Sequence, residues 1–279
     1  IHSVRDAPLD IVIDAERRGA LLEIRTAEGT FAGTRFTASG LLPRFPGVVE
    51  GNAELHVTGE ALERLLAATG LPAVASGPFD FLLGVASSGS ARPQLTLDAR
   101  SPLGKAQVRG QVGSGPKFAG TDLEVSAEID SVSKLVATYG LEAKMPDWPA
   151  RIDASLALEE GGIRTTKPAL IELAGNAVSM EAFIPLTAGL KGSRADLEAH
   201  GGSLASLVGG FADSAYVPDQ PFEIDAAVLL DAGGLRIQKM AGSLGSASID
   251  GNGLLAFTRR INGSRFSASV NGPAFEEFE

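Results

Sequence analysis

The sequence predicts a mainly β protein with short helices, built as an elongated antiparallel sheet that twists and curls into a repeating groove. Two observations lead to this prediction. Apolar and polar residues alternate over many short runs, which is typical of β-strands with one buried and one wet face. The same runs return with a period of about 71 residues, and a fixed period of this kind indicates a repeat protein. Each repeat is predicted to contain one short helix and roughly four strands.

One strand of each repeat is marked by a proline. Proline is tolerated at the first position of a strand because no hydrogen bond is lost from the strand interior. After each proline, apolar residues alternate with residues that are mostly charged. The prolines recur with the period of the repeat, at Pro8, Pro78, Pro149 and Pro221.

A second strand of each repeat follows a glycine. The four glycines recur with the same period as the prolines, at Gly33, Gly104, Gly175 and Gly245. The apolar positions begin two residues after Gly104 and Gly245, but three residues after Gly33 and Gly175. A one-residue β-bulge would restore a common face to these strands.

A short amphipathic helix recurs with the same period. Leu62, Leu65 and Leu66 have the spacing of the apolar stripe of a helix. The stripe returns twice in full and begins a third time, at Val132, Leu135 and Val136, at Leu204, Leu207 and Val208, and at Phe275 and Phe278. Gly70 and Gly140 lie where a left-handed C-cap would end the first two helices.

These series divide the chain into units with no linker between them. No Pro-rich, Ser-rich or highly charged spacer interrupts the pattern, so we expect a single continuous repeat domain over residues 1–279. Because the sequence begins within a unit and with isoleucine, we expect it to be a segment of a longer protein. The approximate units are 1–50, 51–119, 120–191, 192–262 and a truncated 263–279.

The composition argues against several classes of function. The chain carries a formal net charge of −10 and contains no cysteine. The acidic balance argues against a nucleic-acid partner, which requires clustered Lys and Arg, and it also disfavours tight docking on anionic lipid headgroups. No apolar run approaches the roughly 18–20 residues that span a bilayer, and the first residues do not resemble a signal peptide.

No pattern of catalytic residues stands out, so we expect a protein that is not an enzyme and needs no cofactor or metal. His2, His56 and His200 lack metal-ligand spacing, and the nucleophile elbow, zinc-protease and P-loop motifs are missing from the sequence. The acidic residues are explained as charges on the wet face of strands. The sequence around Asn262 matches a glycosylation acceptor, a pattern that often occurs by chance.

The predicted sheet has more apolar surface than its helices can cover. One short helix against roughly four strands leaves two possibilities, a sheet folded into a packed β-sandwich or a sheet left open around another apolar molecule. Residue alternation cannot choose between them. The side chains that would line the open face are those of the post-proline strands, Leu9, Ile11, Ile13, Phe79, Phe81, Leu83, Ile152, Leu156, Phe222, Ile224 and Val228.

The order of these elements resembles the AsmA-like superfamily of Gram-negative bacteria. The resemblance is carried by the period and by the segments "GEALERLLAATG", "GPFDFLLGVA", "SPLGKAQVRGQV", "GSLASLVGGF" and "GSLGSASIDGNGLL". It implies an open groove that carries phospholipid acyl chains through the periplasm. It also implies an inner-membrane anchor and outer-membrane components that lie outside this sequence.

We therefore expect a non-enzymatic conduit for lipids between the inner and outer membranes, which would support outer-membrane lipid homeostasis. A structural or assembly scaffold for outer-membrane protein biogenesis, without lipid transport, is the alternative. A β-solenoid adhesin or a carbohydrate-acting enzyme fits less well, because solenoid coils are shorter than these repeats and lack a helix in each coil.

Overall fold

The computed structural model describes residues 9–19, 21–43, 51–69, 76–87, 92–134, 147–186, 191–208, 219–231, 234–256 and 263–272. Strands account for 72% of the described residues and helices for 7%. The chain divides into two compact units, Ile1–Glu142 and Ala143–Glu279. The prediction of a mainly β protein with short helices and antiparallel strands is confirmed.

Unit 1, in its described part, contains eight strands, an α-helix between the fourth and fifth strands, and a helical turn at residues 132–134 after the last strand. Each strand pairs antiparallel with the next one in sequence, and the first strand does not pair with the last, so the sheet is not closed. A short 3-10 helix, Pro116–Phe118, precedes the last strand. The elements are β1 (Leu9–Arg18), β2 (Leu21–Phe31), β3 (Thr34–Pro43), β4 (Gly51–Gly59), α1 (Leu62–Thr69), β5 (Phe79–Ser87), β6 (Gln94–Ser101), β7 (Gly104–Gln111) and β8 (Thr121–Ile129).

The described part of unit 2 repeats this order, with four strands before a helix and four after it. Its strands also pair antiparallel with their neighbours in sequence, in an open sheet. The elements are β9 (Ala150–Leu158), β10 (Gly162–Leu173), β11 (Asn176–Pro185), β12 (Arg194–Gly201), α2 (Leu204–Val208), β13 (Phe222–Asp231), β14 (Gly234–Leu244), β15 (Ala247–Ala256) and β16 (Arg265–Asn271).

Helices α1 and α2 lie at the same end of the strands of their units. We call this end the helix side; it is the row of strand ends that includes Gly59 and Phe79 in unit 1 and Gly201 and Phe222 in unit 2. The opposite row of strand ends is the loop side. At the helix side, the backbone N–H of Leu62 donates to the carbonyl of Gly77 (2.9 Å), and that of Leu204 donates to the carbonyl of Gln220 (3.0 Å). Each helix start is thus tied to the residue that precedes a strand-initiating proline.

The few large buried side chains also lie at the helix side. In unit 1, Leu62 and Phe79 form a small core with Leu65, Leu66 and Phe81 around them. In unit 2, Phe222 is only 4% exposed. The predicted apolar stripe of the first helix is therefore confirmed, because its three leucines all contact this core. Several predicted features lie outside the described residues, namely Pro8, Gly70, Gly140, Leu135, Val136, Phe275 and Phe278.

Four hairpins at the helix side have two-residue turns, formed by residues 32–33, 102–103, 174–175 and 245–246. Gly33 and Gly175 are the second residues of their turns, and Gly245 is the first residue of its turn. Gly104 is instead the first residue of the strand that follows its turn. All four have positive φ, which glycine adopts without steric cost.

These turn positions correct the expectation of a bulge after two of the glycines. The apolar positions are shifted because the glycine occupies different places in the turn. Counted from the first strand residue, the phase is the same in all four strands, and no register shift lies between the turn and these positions. The residues two positions into the strand are Phe36, Ala106, Val178 and Ile249.

Replacing Ala32 or Ala174 by asparagine is expected to stabilise the protein by roughly 1 kcal/mol each. Both alanines have left-handed φ values, 52° and 51°, and each precedes a glycine. An alanine is strained in this conformation, whereas Asn-Gly is the preferred sequence of a type I′ turn. Denaturant midpoints would measure the gain. Ser246→Asn is the matched control, because Gly245 already supplies the positive φ in that turn; equal gains from the control would contradict the explanation.

Candidate functional site

One face of unit 1 is apolar across all eight strands. Residues directly opposite each other on paired strands lie on the same face of a sheet, so the register defines continuous rows of side chains. The first row is Ile11, Gly29, Phe36, Val57, Phe81, Ala99, Ala106 and Ala127. The next row towards the loop side is Ile13, Ala27, Ala38, Leu55, Leu83, Leu97, Val108 and Val125. Neither row contains an ionisable residue.

Unit 2 has the same kind of face. One row runs through Ile152, Ile171, Val178, Ala199, Ile224, Gly242, Ile249 and Val270. A second runs through Ala169, Met180, Leu197, Ala226, Met240, Gly251 and Ala268. A third runs through Ala182, Ala195, Val228, Ile237, Gly253 and Phe266. These rows also lack ionisable residues. We call the two surfaces the apolar faces.

The opposite face of each unit is polar. In unit 1 it carries exposed ion pairs, such as Lys105 Nζ to Glu128 Oε2 at 2.8 Å and Arg92 Nη1 to Asp122 Oδ2 at 2.9 Å. Exposed pairs of this kind contribute at most about 1 kcal/mol each to stability. Their main effect is to keep this face hydrated, so each sheet separates an apolar surface from a charged one.

The apolar faces are not covered by a second layer among the described residues. Leu55, Leu83 and Leu97 lie at the centre of strands in the middle of unit 1, yet all three are only partly buried. Leu197 of unit 2 is also only partly buried. In a β-sandwich, side chains at such positions are buried between two sheets about 10 Å apart. The described part of each unit is therefore a single-layer sheet with an accessible apolar face.

The apolar faces end in packed side chains beside α1 and α2. At the helix side, Leu62, Phe79, Phe222 and Leu244 are each at most 5% exposed. At the loop side, Val85 of unit 1 is 36% exposed and Ile184 of unit 2 is 37% exposed. A long apolar molecule on such a face would meet packed side chains at the helix side and water at the loop side.

The structure places the predicted lining residues on these faces, within their own units. Ile11, Ile13, Phe81 and Leu83 lie in the rows of unit 1, with Leu9 on the same face. Phe79 is an exception in accessibility, because it is 5% exposed and its ring lies 5.0 Å from that of Phe81. In unit 2 the predicted residues on the apolar face are Ile152, Leu156, Phe222, Ile224 and Val228, of which Phe222 is buried at the helix side.

The prediction included only the post-proline strands and missed the other strands of each face. Leu55, Leu97, Val108 and Val125 of unit 1 belong to the same row as Leu83. The signal that could have found them is the same alternation, which is visible in "AELHV" and "PQLTLDAR". What alternation cannot give is the register that joins them into rows.

The polar groups of the described residues form no metal centre. His56 Nε2 lies 2.8 Å from Asp80 Oδ1 on the polar face of unit 1, and both side chains are exposed. No group of three or more His, Asp or Glu side chains within the described ranges could hold a metal ion. His2 and Asn262 lie outside these ranges.

Within the described residues, no helix has the length and apolar character needed to cross a membrane. Comparison with known proteins adds no family assignment. No family model, no curated protein and no solved structure matches this chain. Function is therefore inferred from the geometry of the two apolar faces.

Proposed function

We propose that this chain is a non-enzymatic segment of a lipid-transfer conduit that carries phospholipid acyl chains on its apolar faces. The observation that supports the proposal is the accessible apolar face of each unit, which continues without a charged side chain over many strands. At about 4.8 Å per strand, the eight strands of one unit give a face roughly 35 Å long. The curl of this surface into a groove is part of the proposal.

The energetics of lipid extraction favour such a surface. Moving a phospholipid with two chains of about 16 carbons into water exposes about 30 methylenes, at a cost on the order of 25 kcal/mol. A face of Leu, Ile, Val and Phe offsets most of this cost without fixing one chain length. No chemical step is required, because movement along the face exchanges one apolar contact for another.

The repeating architecture extends the same argument. The strands that follow the four helix-side turns begin at Thr34, Gly104, Asn176 and Ala247, which recur regularly along the chain. We propose that the repeat of about 71 residues is the unit of length of the conduit. The resemblance to the AsmA-like superfamily supports a periplasmic location between inner and outer membranes, with anchoring by a segment not present in this sequence.

Native mass spectrometry after gentle purification tests the proposal. The expected result is a chain that retains phospholipid, released as intact lipid when the protein is unfolded. The same experiment with deuterated phospholipid vesicles should show exchange of bound lipid. A chain that purifies without lipid and takes up none from vesicles would contradict the proposal.

The first strand supplies a reason to retain the scaffold alternative. Leu9, Val12 and Ile13 of β1 are 61%, 73% and 60% exposed, and among the described residues of unit 1 only β2 pairs with this strand. An exposed apolar strand can accept a strand of another protein by β-augmentation. A scaffold of this kind would bind an extended peptide while its apolar faces stay free of lipid. Native mass spectra distinguish the two functions, because a conduit retains phospholipid and a scaffold does not.

A further inference from the structure

A row of arginines crosses the polar face of unit 2 at its loop side. The register aligns one residue from each strand, and every even-numbered strand contributes an arginine. The row is Ala157, Arg164, Phe183, Arg194, Leu229, Arg236, Leu254 and Arg265. We call Arg164, Arg194, Arg236 and Arg265 the arginine row. One strand lies between successive arginines, so their backbones are two strand spacings, or about 10 Å, apart.

The corresponding row of unit 1 has the opposite character. It lies at the same distance from the helix side, since Ala86 and Leu229 each follow the first residue of their strands by seven positions. Its members are Glu16, Glu23, Leu41, Asn52, Ala86, Gln94, Gln111 and Asp122. This row contains three acids and no base. The arginine row is therefore not a by-product of the repeating pattern.

The arginines are accessible and weakly held. All four are exposed, and Arg194 and Arg265 have no carboxylate partner among the described residues. The guanidinium of Arg194 lies 5.3 Å from the centre of the Phe183 ring. Arg164 pairs with Glu159, and Arg236 pairs with Asp231 at 3.0 Å. Exposed pairs are worth at most about 1 kcal/mol, so a phosphate can replace either carboxylate.

The residues between the arginines suit an interface with lipid. Phe183, Leu229 and Leu254 are partly exposed and alternate with the arginines along the row. Arginine can lie along an apolar surface with its aliphatic stem while its charged end contacts phosphate oxygens. A partner that offers both apolar depth and a dense array of phosphates matches this alternation better than an acidic protein surface does.

Acidic residues lie nearby and limit how the surface can be approached. Glu181 and Asp196 are two positions closer to the helix side, about 7 Å further along their strands. A flat approach onto the whole polar face would be repelled by them. An approach from the loop side meets the arginines before Glu181 and Asp196, because β12 and β16 begin with Arg194 and Arg265. The acids at the loop side itself are Glu159 and Asp231, which are paired with Arg164 and Arg236, and the exposed Glu160.

We propose that the arginine row docks the loop side of unit 2 on a membrane surface that carries anionic phospholipid headgroups. This revises the expectation from the net charge, which disfavoured such docking. Charge summed over the chain acts weakly at a distance, since exposed charges are screened within about 8–10 Å in physiological salt. The proposal is independent of what the apolar faces carry.

Vesicle flotation tests the docking. The full chain is mixed with vesicles of phosphatidylcholine containing phosphatidylglycerol, and separately with vesicles of phosphatidylcholine alone. We expect binding to the anionic vesicles only, and weaker binding as salt is raised. The double variant Arg194→Glu, Arg265→Glu should lose this binding by about tenfold or more.

The matched control changes the same net charge on unit 1. Arg35 and Arg109 lie exposed on its polar face, and the double variant Arg35→Glu, Arg109→Glu should bind anionic vesicles nearly as well as the parent. Circular dichroism would verify that both variants are folded. Equal losses in both variants, equal binding to both kinds of vesicle, or no binding at all would overturn the proposal. None of these outcomes decides whether the apolar faces carry lipid, because lipid retention is measured separately by native mass spectrometry.

Discussion

Replacing Leu83 by glutamate is expected to weaken acyl-chain binding in unit 1 while the sheet stays folded. Leu83 lies at the centre of the apolar face, in line with Leu55 and Leu97, and none of the three is fully buried. On a single-layer sheet the carboxylate can reach water, so the cost to folding should be about 1–2 kcal/mol. A lipid chain on this face would have to cover the charge, which we expect to weaken binding at least about tenfold.

The neighbouring residue provides the control. Leu82 is on the polar face of the same strand, directly opposite His56 and Asp98. Leu82→Glu adds the same charge at almost the same place in the sequence but should leave lipid binding unchanged. Two measurements would compare the variants. Lipid contact would be measured by crosslinking to a photoreactive residue that replaces Leu97, and stability by thermal melting.

The outcome separates an open face from a sealed core. If a second layer covered the apolar face, the charge of Leu83→Glu would be buried, which would cost several kcal/mol and unfold the unit. Unfolding without any lipid crosslink in the parent would therefore contradict the conduit. Ile224→Glu repeats the test in unit 2, where Ala199 and Gly242 lie directly opposite and leave space for the new side chain.

Truncating Phe79 to alanine is expected to cost about 3–5 kcal/mol of stability in unit 1. Its ring is 5% exposed and contacts the small core that joins α1 to the sheet. The ring also covers Gly59, where an added Cβ would lie 2.7 Å from Phe79 Cε1. Because the single-layer sheet has few large buried side chains, this one residue represents a large share of its packing.

Hydrogen exchange would measure the effect within unit 1. Amides of β4 and β5 should lose protection in Phe79→Ala, together with those of α1. Phe118→Ala is the control, since Phe118 is 65% exposed and its truncation should change stability by at most about 0.5 kcal/mol. Similar losses from both substitutions would mean that the helix-side core does not stabilise the sheet as inferred.

Local chemistry explains which parts of the fold were predictable from the sequence. Proline followed by alternation located the starts of β5, β9 and β13, because both signals act within one strand. The leucine spacing located α1 for the same reason. The expected bulge shows the limit: the glycine of a two-residue turn can be its first residue, its second residue or the residue that follows it, so glycines alone do not fix the phase of the following strand.

The candidate surfaces depended on pairings that no local signal contains. Leu55 and Leu97 join Leu83 only through the registers of β4 and β6 with β5. The arginine row depends on even more pairings. Arg164 and Arg194 lie on strands that do not pair with each other, and they are aligned only because both strands pair with β11. Accessibility was also undetermined, because an open sheet and a sandwich have the same alternation.

The pairing of each strand with its sequence neighbours has a consequence for how such a protein can grow. All ladders within a unit join segments that leave the ribosome one after the other, so each hairpin can add to a sheet that already exists. Inserting or deleting a whole hairpin would change the length of a unit by about 10 Å and leave the orientation of every other strand unchanged. The span of such a sheet can therefore be adjusted in evolution by gene duplication within the coding sequence, without redesign of its surfaces.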